Sequence, residues 1–148
     1  MAKKGHMSHI SYSELKEWVT CPWKHKLNYI EGRRAFKGNE FTAFGTALHT
    51  VCEGLVGDDA FNAKELFQQE FLKNLRELKE EDPTIEFKPD LVTSMRLQGE
   101  KLTDYVLPGL SNTFGAFELI SVEEKLYEPI AGEEYHFKGF IDLVIRTK

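Results

Sequence analysis

The sequence predicts a mixed α/β chain, with helices first and an antiparallel β-hairpin last. Two observations carry this. From residue 11 to about residue 107, apolar residues recur mostly at spacings of three and four, the period of helices docked by one face. From residue 117 to residue 147 the pattern changes to two strand-like runs, "FELISVEEKLYEPI" and "YHFKGFIDLVIRT", around the turn residues "AGEE".

The 148 residues suffice for one domain with a real core, expected over residues 8–148. Residues 1–7, ending in "GHM", read as a leader or cloning remnant. No apolar run approaches a membrane span, so no membrane partner is expected. Two cysteines, Cys21 and Cys52, make no disulfide framework, which makes a reducing, intracellular (cytoplasmic) setting the default. The net charge of −5 argues against a free-standing nucleic-acid binder, but it is unevenly spread. Residues 1–40 hold eight Lys/Arg against four Asp/Glu, and the remainder eleven against twenty. A phosphate-facing surface is therefore expected in the first forty residues.

The elements follow in order. Ser11 with Glu14, or Ser13, caps a helix carrying Leu15, Trp18 and Val19. Pro22 interrupts it, and a second helical stretch runs from about Trp23 to Ile30, giving a basic and aromatic helical segment over residues 11–30. "EGRRAFKGNE" reads as a loop. Residues 41–57 form a helix with Phe41, Phe44, Leu48, Val51, Cys52 and Leu55 inward. Residues 63–107 supply two amphipathic helices. The first turns Leu66, Phe67, Phe71, Leu75 and Leu78 inward and ends at Asp82-Pro83; Pro89 starts the second and Pro108-Gly109 closes it. The hairpin occupies residues 117–147. Its second strand is apolar on both faces, as in a central strand, yet the hairpin supplies only one neighbour, so one edge is expected to lie open.

Four groups of residues could carry chemistry. Gly45, His49 and Glu53, spaced by four, line up on the flank of the apolar stripe, where a histidine either faces a cleft or simply bonds a neighbour. Asp142 stands among apolar residues, where a carboxylate needs a cation or a hydrogen-bonding partner. Glu123 and Glu124 lie across the hairpin from the Asp142 region, and alternation lets only one of them join it. "CPWKHKLNYIEGRR" interleaves cations with aromatics, either as a phosphate-contacting surface or as an ordinary polar helix face. A His, an Asp and a Glu together suit a hard or borderline ion such as Mg²⁺ or Mn²⁺. Cys52 falls on the apolar stripe and reads as core.

These pieces resemble, in order, the RecB-like and Cas4-like branch of the PD-(D/E)XK nuclease superfamily, known from phage and bacterial exonucleases. The resemblance rests on Ser11, Ser13, Leu15, Cys21, Pro22, Lys24 and Lys26 as an "S-x-S-x-L…CP-x-K-x-K" segment. It continues with Gly45 to His49 as "G-x-x-x-H", Val122-Glu123 as the "vE" strand, and Gly139 to Asp142 as "G-x-I-D". It implies a restriction-endonuclease-like α/β core and metal-dependent hydrolysis of DNA phosphodiesters. His49 and Asp142 would be metal ligands and, with Glu123, the catalytic set; Glu53 and Glu124 would support them. Lys24, Lys26, Arg33 and Arg34 would contact DNA.

The chain departs from the family's pattern after Asp142. The expected "(D/E)-x-K" strand is not present, and Arg146-Thr147-Lys148 does not replace it. A lone Cys21 gives no basis for an iron–sulfur cluster, which needs four ligands. The sheet is expected to be incomplete at its C-terminal side. The expectation is an N-terminal nuclease portion, inactive until complemented by a C-terminal nuclease fragment, or self-associating through the open strand edge. A non-catalytic DNA- or protein-binding module of the same fold is the alternative. A purely helical interaction domain leaves Asp142 without a reason.

Overall fold

The computed structural model describes residues 9–33, 36–57 and 60–147. The chain divides into two compact units: Met1–Ala35 with Glu123–Asp142, and Phe36–Val122 with Leu143–Lys148. In chain order the elements are β1 (His9–Ser11), α1 (Tyr12–Thr20), α2 (Pro22–His25), a π-helical turn (Lys26–Ile30), α3 (Glu40–Val56), α4 (Ala63–Glu81), α5 (Pro89–Thr103), α6 (Val106–Phe114), β2 (Phe117–Pro129) and β3 (His136–Thr147).

In the unit that contains Phe36–Val122, the apolar stripes of α3, α4 and α5 meet. Ala43, Ala47 and Val51 of α3, Phe67, Phe71 and Leu75 of α4, and Met95 of α5 are buried together. The small residues of α3 let the phenyl rings approach: Phe67 and Phe71 stack with centroids 5.7 Å apart, and Phe44 meets Phe67 edge-on at 5.3 Å. Each buried Phe contributes about 1.5–3 kcal/mol of transfer free energy. Gly99 of α5 lies against the Phe67 ring so closely that a Cβ there would sit 2.0 Å from Cζ. α3 begins with a capping box. The Asn39 side chain accepts from the N–H groups of Phe41 and Thr42, and Thr42 Oγ1 accepts from Asn39 N–H at 2.8 Å.

Two helix expectations need correction. Phe41, expected inward, is exposed, and Ala43 and Ala47 take the buried line instead. Pro108-Gly109 does not close the helix that starts at Pro89. α5 ends at Thr103, and Pro108 sits in the first turn of α6, where a residue without an N–H forfeits no intrahelical bond.

In the unit that contains Glu123–Asp142, Ser11 caps α1, its Oγ accepting from Glu14 N–H at 3.2 Å. Cys21, in extended conformation, separates α1 from α2, and the predicted second helix resolves into α2 and the π-helical turn.

The sheet has three strands, in the order β1-β3-β2. β1 pairs in parallel with β3, His9 with His136, Ile10 with Phe137 and Ser11 with Lys138. The expectation of a single neighbour for β3 is therefore corrected. A three-residue strand carries too little alternation to register in a sequence pattern. The hairpin turn closes with Ile130 N–H on Tyr135 O at 3.1 Å. Covering of β3 on both faces is not found around Asp142. Phe140, Ile141 and Asp142 are exposed, between half-buried stretches at His136–Gly139 and Leu143–Ile145.

Candidate functional site

On α3, His49 and Glu53 are one turn apart, and the helix brings them into direct contact. His49 Nδ1 pairs with Glu53 Oε1, and the His49 side chain stays about half exposed at 47 %. When Nδ1 carries the proton toward this carboxylate, Nε2 carries the ring's lone pair. A carboxylate that orients an imidazole in this way is the usual support of a metal-ligating histidine. Gly45, one turn earlier, is exposed and has open space where a Cβ would stand. Cys52 is half-buried; burial raises its thiol pKa, and the neighbouring Glu53 adds to the shift, so it is no ready nucleophile.

On the hairpin, Glu123 and Asp142 lie equally far from the Ile130–Tyr135 closing pair. Glu123 on β2 and Asp142 on β3 thus stand on adjacent strands at matching distances in sequence from the turn. Glu123 is the only described non-glycine residue with positive φ, at 51°, inside a strand that is otherwise extended. A left-handed residue inside a strand is a conformation characteristic of β-bulges, at which the alternation of side chains is interrupted. Ser121, Val122 and Glu123 are accordingly all half-buried in succession, whereas Glu124 is exposed. Arg146 Nη1 of β3 donates to Glu118 Oε2 of β2 at 3.0 Å, an exposed ion pair between the two strands. Held against local steric preference, Glu123 is a position where backbone strain and a site-type side chain coincide.

The cations expected to face DNA are engaged within the protein. Lys24 Nζ lies 2.9 Å from Glu17, Lys26 Nζ 3.6 Å from Glu31, and Arg33 Nε 2.9 Å from Glu31. Hydrogen bonds from Lys24 and Asn28 hold the Glu17 carboxyl below the usual range, and the same partner raises Lys24. Arg34 lies outside the described residues. α1 also carries an arrangement that the sequence reading passed over. Glu14 and Glu17 are its half-buried residues, bonded to His25 at 3.0 Å and Asn28 at 2.8 Å, while Leu15, Trp18 and Val19 are exposed. The signal was present in the sequence: two carboxylates three apart, followed by a histidine and an asparagine three apart.

His49 and Glu53 thus meet on one helix, while Glu123 and Asp142 stand on the two adjacent strands of the hairpin. Among the described residues, no helix is long and apolar enough to cross a membrane. No significant match was found among curated proteins or solved structures. The family model of the PD-(D/E)XK nuclease superfamily, by contrast, matches residues 9–148, almost the whole sequence, and the chain belongs to that superfamily.

Proposed function

We propose that this chain is part of a RecB-like, metal-dependent DNA nuclease, with His49 and Asp142 as ligands of a Mg²⁺ or Mn²⁺ ion and Glu123 as the third catalytic residue. Nucleases of this superfamily generally use divalent metal ions. The observation that carries the reading is the family match across residues 9–148. The donor chemistry fits: one imidazole and two carboxylates offer the nitrogen and oxygen ligands that such ions accept. The bound ion would supply a polarised water and offset charge developing on the scissile phosphate. Glu53 would orient the His49 ring, and Glu123 would join from the left-handed position of β2, the strand beside that of Asp142. Glu124, exposed, has a supporting role at most. Two cysteines without a disulfide fit an intracellular setting.

These 148 residues hold no "(D/E)-x-K" strand beyond Asp142. The chain alone is therefore expected to cleave no DNA with Mg²⁺ or Mn²⁺, and to gain cleavage when mixed with a polypeptide bearing that strand. Loss of the gained activity in His49→Ala and in Asp142→Ala supports the assignment; full activity in either variant sinks it. A non-catalytic binding module is the second reading, favoured by the outward-facing tryptophans of the N-terminal segment. Its signature is DNA affinity with no cleavage under any complementation.

A further inference from the structure

α1 is docked the wrong way round for an amphipathic helix. Its spacing places Tyr12, Leu15 and Val19 on one stripe, with Trp18 at the stripe's edge, and every one of them is exposed. The face turned inward is the acidic one, with Glu14 and Glu17 holding His25, Lys24 and Asn28. An apolar stripe left in water is unfavourable by about 25 cal/mol per Å², so a stripe with its polar side deliberately inward marks a contact surface. Trp23 of α2, 64 % exposed, extends the aromatic character, and Lys26 Nζ stands 5.0 Å from its ring centroid.

We propose that this face binds single-stranded nucleic acid by stacking unpaired bases on Tyr12, Trp18 and Trp23. The inference rests on the nuclease reading for its substrate class and goes beyond it in naming the strand state and the surface. Charge and ring chemistry select this occupant over an apolar peptide. The first forty residues carry the chain's cationic excess, while the rest has a net negative charge. Lys16 lies beside the stripe, exposed and without an ion pair among the described residues, and Lys26 sits over an indole face. Aromatic faces with adjacent cations hold successive bases irrespective of sequence, and a duplex keeps its bases stacked on each other. The paired state of Lys24, Lys26 and Arg33 makes stacking, rather than a row of uncommitted cations, the main source of affinity.

The chain contains two tryptophans, Trp18 and Trp23, so intrinsic indole fluorescence reports on this surface alone. The experiment titrates the 148-residue protein with an oligothymidylate, in chelator so that no cleavage intervenes, and follows fluorescence together with the anisotropy of labelled DNA. Saturable quenching is expected, with a duplex of equal length binding at least tenfold more weakly. Trp23→Ala should weaken oligonucleotide binding by roughly tenfold or more, and Trp23→Phe should restore most of it, as stacking on any aromatic face requires. Circular dichroism checks that the exposed-site variants stay folded. Binding by anisotropy without quenching, equal affinity for duplex, or wild-type affinity in Trp23→Ala each overturns the proposal. A protein that binds as described yet never cleaves when complemented overturns the nuclease reading and leaves this surface standing. Cleavage on complementation without quenching does the reverse.

Discussion

At the scale of single residues, Glu123 combines an unusual backbone conformation with a proposed place in the metal site. A side chain in the left-handed region costs about 1 kcal/mol that glycine does not incur. Glu123→Gly is therefore expected to raise the melting temperature slightly while weakening Mg²⁺ or Mn²⁺ binding, measured by thermal unfolding and metal titration on the same preparation. A Glu123→Gly variant that loses stability would show that the bulge is not strained. Glu53 makes a separable prediction. If it orients His49 toward a metal, Glu53→Ala lowers metal affinity about ten- to hundredfold with little change in fold, read by calorimetric titration. The identities of His49 and Asp142 as candidates were legible in the sequence because a helical spacing of four and a lone carboxylate in an apolar run are visible without coordinates. The conformation of Glu123 was not. Positive φ at a glutamate is set by the strand's tertiary surroundings rather than by local preference, and nothing in "SVEEKL" signals it.

At the scale of elements, the helices were legible and their junctions were not. α4 presents Phe67, Phe71 and Leu75 as its periodicity predicts, because a continuous apolar stripe has one way to leave water. α3 shows the limit: two alanines displaced Phe41 from the core, since tight packing against the α4 phenyl rings favours small side chains. The α3 cap makes a simple test. Asn39→Ala removes the acceptor of two N–H groups and is expected to cost about 0.5–2 kcal/mol in denaturant unfolding. The α1–α2 junction makes a test by pH. The Glu17 carboxyl is held below its usual range in the folded chain, so its contribution is present at neutral pH and is lost as pH falls through the carboxylate range, about 4 and below. Helical circular dichroism followed to acid pH should show a wild-type transition that Glu17→Gln flattens.

At the scale of the whole molecule, the α/β order of helices followed by strands follows from where the hydrophobic period switches from about 3.6 to 2. The third strand escaped because "HIS" is three residues long and its partner lies at the far end of the chain. The helical core depends on one close fit between neighbouring helices. Gly99→Ala would drive a methyl into the Phe67 ring, and a cost of about 1–3 kcal/mol or more is expected from displaced packing, read as a lowered denaturation midpoint.

The pairing of β1 with β3 also sets an order of events during synthesis. His9–Ser11 is made well before its partner His136–Lys138, so closing that loop waits on all the helices between them. The α3–α5 contacts join segments close in sequence and can consolidate while the remainder is still being translated. β1 thus finds its place only after the helices that follow it in the sequence. Until then β3 is an uncapped template, and a nascent or stressed population is exposed to mispairing along that ladder before β1 arrives.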